Sequence, residues 1–390
     1  MIHNTNTSRL LALAALAAAA VVGSTAAQAD ARTQAKRLHD RIAGVPASAA
    51  TLTQMANLIT AGDATAAARI ALQAPSFYNV TLKNFATPWT NREQTVFAPL
   101  NDYTATVIGM VRDDVPFNTV LSGDILYVGG AGLPAYSNTN NDLYQQLEDQ
   151  DLNLGSPSVL VQTTQSSATG LPAGATAGVM TSRAASQSFF IAGTNRAMFR
   201  FTLMNHLCKD LEQVHDTTLP PDRIRQDVSR SPGGDSRIFL NGCIGCHTGM
   251  DPLTQAFAYY NWDETAGKLV YTAGQVQPKY LINSDNFKPG YVTKDDGWSN
   301  YWRKGANKLL GWNSQLPGSG SGAKSMGQEL AGSDQFAHCQ VEKVFKAVCL
   351  RAPVNAADRS QIDSVTAAFK ANGYKLKDVF ASTAVYCMGD

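Results

Sequence analysis

Cys243-Ile244-Gly245-Cys246-His247 carries most of the legible chemistry in this chain of 390 residues. Cys-x-x-Cys-His is the attachment sequence for c-type haem. Two thiols one helical turn apart can add to the two vinyl groups along one porphyrin edge. The adjacent imidazole then swings beneath the iron as proximal ligand. Cys243, Cys246 and His247 would together hold one covalent haem c. Rival chemistries fit the spacing less well. A closed zinc site needs two further ligands, and no second C-x-x-C exists in the chain. A thioredoxin-like dithiol follows a strand in a βαβ pattern and does not require the histidine. A disulfide between Cys243 and Cys246 would close a strained small loop.

Iron in such a site takes a sixth ligand or keeps an open position. A thioether raises the potential and makes an electron carrier, whereas an open site admits ligands or peroxide. Met326 is the first candidate for the distal position. It follows the Gly318-Ser319-Gly320-Ser321-Gly322 loop and precedes the C-terminal helices. Attachment site, loop, methionine and terminal helix is the order found in small cytochromes c of class I. A core methionine at a helix start is the competing reading. His206 and His338 are the runners-up, and Met250 stands too close to His247 in sequence to cross the porphyrin.

The rest of the chain must position these groups. The thirteen residues from Leu10 to Val22 form an unbroken apolar run after Arg9, and Ala27-Gln28-Ala29 matches a signal-peptidase site. The run is short of the roughly 20 residues that span a bilayer core. Residues 1–29 therefore read as a cleaved leader, with no stable membrane anchor, and the mature protein is expected in the periplasm or outside the cell. Loss of the leader removes only Arg9 and leaves 31 basic residues against 31 acidic ones. That balance argues against a nucleic-acid partner.

The spacing of apolar residues predicts a mostly α fold. Residues 30–130 form an N-terminal helical domain, with helices at Ala31–Gly44, Ser48–Gly62, Asp63–Ala74 and Leu100–Val111. Residues 131–178 are a polar insertion with little core of its own. Residues 179–325 are the haem-binding region. It holds a long helix from Asn195 to His215, a short helix at Asp235–Asn241, a small strand at Leu269–Tyr271 and a Trp/Gly-rich connection over 284–325. Trp298, Tyr301, Trp302 and Trp312 are expected to pack as a loop covering the haem. The C-terminal helical unit, 326–390, holds three helices at 334–350, 356–372 and 375–387. The expected architecture is thus short helices around a class-I-like cytochrome c haem core, closed by a three-helix unit.

Four cysteines stand outside the motif, an even number suited to an oxidising compartment. Cys339 and Cys349 lie ten residues apart on one predicted helix, about 15 Å, beyond the roughly 7 Å a disulfide allows. The first and third helices of the terminal unit should point the same way, so Cys349 and Cys387 share an end and pair. Cys208 is left for Cys339.

With Thr248-Gly249-Met250-Asp251-Pro252-Leu253, the motif resembles the Cys-x-x-Cys-His-x-x-x-Asp-Pro-Leu core of planctomycete-type cytochrome c proteins. Arg41-Ile42-Ala43-Gly44-Val45-Pro46 resembles their early Arg-x-x-Gly-x-Pro element. Val115-Pro116-Phe117 with Gly123-Asp124 resembles their Pro-Phe…Gly-Asp segment. Phe336, Arg351, Asp358 and Phe380 fall where their C-terminal helical domain would place them. The chain departs from the pattern at Thr254-Gln255-Ala256-Phe257, where the family continues Gly-Phe. The resemblance implies an exported helical monohaem protein in electron transfer and names no substrate.

The leading expectation is a monohaem electron-transfer protein that meets a redox partner protein. A carrier needs only about 100 residues, a single domain's worth. The extra length favours the competing expectation, a haem-dependent oxidoreductase such as a peroxidase, oxygenase or dehydrogenase subunit. A structural surface protein using haem as a staple is the third. Neither the enzymatic question nor the oligomeric state is decided by the sequence.

Overall fold

Asp30, Ser48 and Asp63 each stand just before a helix, and each side chain accepts the backbone N–H three residues on. These caps start α1 (Ala31–Ala43), α2 (Ala49–Thr60) and α3 (Ala64–Ala71) by satisfying donors that the first turn leaves open. Gly44, at φ 74°, closes α1 in the left-handed conformation that suits glycine. The computed structural model describes residues 29–190, 193–281 and 287–389. The expected leader, apart from its last residue, lies outside them.

Asn101 caps α4 (Asp102–Arg112), which is buried from Asp102 to Val111 and runs through the centre of the protein. Strand β1 (Leu126–Gly129) pairs antiparallel with β2 (Leu160–Thr163), Leu126 opposite Thr163. Between them α5 (Asp142–Asp149) buries Leu143, Tyr144 and Leu147. The 131–178 segment thus has no separate core; its apolar residues join the common one, which runs from Ala35 to Cys387.

After α6 (Arg183–Phe189), α7 (Arg196–Thr202) continues as a π-helix over Leu203–Leu207. The expected helix to His215 stops there. Cys208 adopts φ 53°, and Asp210 opens a separate 3-10 turn, Leu211–Val214, with a capping box closed by Gln213. The short helix expected at Asp235–Asn241 instead runs on. Ser236–Ile238, a π-helical turn Phe239–Cys243 and α8 (Ile244–Thr254) form one continuous helical run carrying the motif. The strand expected at Leu269–Tyr271 is part of β4 (Lys268–Tyr271), paired with β3 (Tyr260–Asp263). In the Trp/Gly-rich connection, β5 (Gly297–Ser299) pairs with β6 (Ser319–Ser321).

Four helices close the chain: α9 (Gly322–Ala331), α10 (Asp334–Cys349), α11 (Ala356–Ala371) and α12 (Leu376–Cys387). Helix α10 packs on α11 and α12, and α12 packs back on α1 and α3, so the first and last described helices share one helical body. Phe380 seats the junction, its ring 5.1 Å from Phe77 and 5.5 Å from Phe85. Disulfides join Cys349 to Cys387 and Cys208 to Cys339, each with Cα atoms 5.3 Å apart. The fold is mostly α, with three two-stranded sheets among the described residues.

Candidate functional site

The motif helix is seated by its glycines. At about 100° per residue, Gly245 and Gly249 fall roughly 160° around α8 from His247. A β-carbon on Gly245 would come within 2.4 Å of the His215 Nε2, and one on Gly249 within 1.9 Å of the Trp302 Nε1. Only bare glycine backbone lets these rings approach so closely. A strap crosses the same region. The Asp216 N–H donates to the Gly245 carbonyl at 3.1 Å, and the Thr248 hydroxyl donates to the Asp216 carbonyl at 3.0 Å. Trp302 is fully buried here, on the side of α8 turned away from His247. Trp302 thus packs on the glycine face of α8, where Gly249 offers the close seat.

The opposite side presents the chemistry. Cys243, Cys246 and His247 are all partly exposed. With the other four cysteines paired, Cys243 and Cys246 are the two free thiols. The Cys246 thiol approaches the Leu211 carbonyl at 3.5 Å, and burial pushes its pKa up. A raised thiol is the reverse of what an activated redox dithiol uses. Among the described residues no three His, Cys, Asp or Glu side chains converge as metal ligands.

The His247 Nδ1 lies 3.0 Å from the Asp251 Oδ1, one helical turn on. Asp251 has a side-chain exposure of 0%. Burial would raise its pKa, but Arg196 beside it, with His247 and Arg225, holds the carboxyl well below the usual range. An ionised carboxylate only accepts, so the proton of the neutral imidazole sits on Nδ1 and the Nε2 lone pair is left free. Arg196 clamps the same carboxylate through Nε at 2.9 Å and Nη2 at 3.2 Å, and reaches Asp227 with both Nη atoms at 3.2 Å. Arg225, 1% exposed, spans Asp227, Thr194 and Thr254. Asn195 aims Arg196: it is fully buried at φ 59° and donates to the Phe257 and Tyr260 carbonyls, each at 2.9 Å.

An apolar cavity of about 300 Å³ borders this side, walled by Ile224, Phe239, Leu240, Ile244 and Phe287. Cys243 and Ile244 pack on the cluster of Ile224, Val228 and Phe239. The Phe239 ring stands 6.3 Å from the His247 ring. Arg230 lies over Phe239 and Phe287, at 4.8 and 4.0 Å from their centroids. Ile238 and Leu240 remain 51% and 56% exposed. Two free thiols, an imidazole with one nitrogen satisfied and an apolar wall beside them make a donor set that fits covalent haem.

Met326 stands apart from this group. It is fully buried in the main core, on α9, which packs on Gln255–Phe257 beyond the end of α8. Gln255 is eight residues past His247, about 12 Å along a helix axis. His206 is enclosed, its Nε2 2.7 Å from the Tyr103 hydroxyl, and burial holds its pKa well below the ordinary value. His338 is 39% exposed and faces Glu342 and Asp363. Sequence reasoning gave Asp251 and Arg196 no role. The spacing of His247 and Asp251, four residues on a helix, is a local signal for the first. The second comes from α7 and has none.

A family model described as "Protein of unknown function (DUF1585)" matches residues 318–383. This domain is often found in cytochrome c-like planctomycete proteins. The matched stretch begins at β6 and covers α9, α10, α11 and most of α12; the Cys-x-x-Cys-His motif lies outside it. No curated protein and no solved structure matches the chain.

Proposed function

We propose that the chain is an exported monohaem c-type cytochrome, with Cys243 and Cys246 as the attachment points and His247 as the proximal ligand. One observation carries the reading: the only unpaired thiols lie beside an imidazole whose Nδ1 is committed to Asp251. A haem held there supplies one reversible electron. The chain's own residues do the rest. The glycine face fixes the helix, Asp251 orients the imidazole, and Ile224, Phe239 and Ile244 give the motif an apolar wall. The two disulfides suit an oxidising compartment, and no described helix is long and apolar enough to cross a membrane. Exposed Ile238 and Leu240 beside the motif suit contact with a redox partner protein.

Met326 remains the distal candidate of the carrier reading. Its enclosure in the main core favours a second reading, a haem-dependent oxidoreductase with an open distal position. A pyridine haemochrome spectrum and intact mass of protein from a haem-attaching host test the first claim. One haem per chain is expected, with four alkylatable thiols after reduction and denaturation. Six alkylatable thiols and no haem increment would overturn it. Binding of carbon monoxide to the reduced protein, with no change on Met326→Ala, would favour the second reading.

A further inference from the structure

We infer that Asp251 is a positioning residue that tunes the proximal histidine, and that Arg196 sets how strongly it does so. The inference rests on haem attachment at His247 as proposed above. The geometry is specific. Asp251 Oδ1 receives the His247 Nδ1 at 3.0 Å and the Arg196 Nε at 2.9 Å. Its Oδ2 receives the Arg196 Nη2 at 3.2 Å and the Arg225 backbone N–H at 3.4 Å. The carboxylate is wholly enclosed, while the imidazole is 19% exposed.

A carboxylate acceptor pulls the Nδ1 proton harder than a neutral carbonyl does. The ring then donates more electron density through Nε2, which stabilises oxidised iron and lowers the potential. Arg196 opposes this. Its planar fork takes both oxygens of Asp251 and draws negative charge away from the side that faces His247. Asp227, holding the far edge of the guanidinium, returns part of that charge. The proximal His247 therefore sits at the end of a chain of alternating charges: Asp251, Arg196, Asp227. If Asp251 served only as a counter-ion for Arg196, the imidazole would be indifferent to both residues.

The test compares wild type with Asp251→Asn and Arg196→Gln, each isolated with covalent haem. The reduction potential and the His247 ring Nδ1–H resonance of the reduced low-spin form are measured. Asp251→Asn is expected to raise the potential and move the ring proton upfield, because the acceptor loses its charge. Arg196→Gln is expected to do the opposite, as the carboxylate is released to the imidazole. Should Asp251→Asn fail to accumulate, Arg196→Gln alone decides through the ring proton, which a distant loss of charge would leave in place. Potentials that shift while the ring proton stays fixed in Arg196→Gln overturn the inference, as do unmoved values in both variants. A wild type without covalent haem overturns the proposed function and this inference together; haem-bearing variants with unmoved ring protons overturn this inference alone.

Discussion

Trp302 lies so close to Gly249 that a β-carbon there would stand 1.9 Å from the indole nitrogen. Trp302 is fully buried and cannot swing aside, whereas His215, which meets Gly245, is exposed. Gly249→Ala should therefore overpack and cost about 1–3 kcal/mol. Gly245→Ala should cost less, because a surface imidazole can move. Urea denaturation of both variants checks the order. Equal losses would show that α8 shifts as a rigid unit.

The disulfides close loops of different length without overlapping, 131 residues for Cys208–Cys339 and 38 for Cys349–Cys387. In the chain-entropy model the longer loop stabilises by roughly 1 kcal/mol more. Paired Cys→Ser replacements at 208 and 339 should thus lower the denaturation midpoint further than those at 349 and 387. The reverse order would mean that the terminal bridge acts through packing at the end of α10. Non-reducing peptide mapping checks the pairing itself.

Much of this architecture is legible in the chain because its signals are local. Asp30, Ser48 and Asp63 cap their own helices, and the ten-residue offset of Cys339 and Cys349 on one helix already separates them. The break after Leu207 is not legible, because Cys208 is held at φ 53° in a bridge to a cysteine 131 residues away. The apolar stripe Phe199, Leu203, Leu207 and Leu211 reads straight through it. The seat of Trp302 is hidden in the sequence for the same reason. Its aromatic neighbourhood is visible in sequence, but the face of α8 it meets depends on glycines some 50 residues earlier. Asp251 is readable from its offset to His247, whereas Arg196 reaches the site only through the turn at Asn195.

That turn gives a backbone prediction. Asn195 combines a left-handed conformation with two hydrogen bonds from one buried amide. Asn195→Gly keeps the conformation and loses both bonds, a cost of about 2 kcal/mol at roughly 1 kcal/mol each. Asn195→Ala loses the same bonds and adds about 1–2 kcal/mol of left-handed strain. Alanine should be the worse replacement by chemical denaturation. If the two variants match, the conformation of residue 195 contributes nothing and only its bonds matter.

Lys279 offers a prediction in pH. Its ammonium donates to the Phe190 carbonyl at 2.7 Å, and burial pulls its pKa down to about 7. In the unfolded chain the same group titrates near its ordinary value of about 10.4. Between those two values the unfolded state holds a proton that the folded state has released. Stability from this residue therefore rises with pH across that window and is flat below it. Lys279→Met removes the proton difference. Denaturation at pH 7, 8 and 9 should show wild type gaining on the variant at each step. A constant gap between the two proteins over that range would show that Lys279 keeps its charge in the fold and that the Phe190 carbonyl accepts from an ammonium throughout.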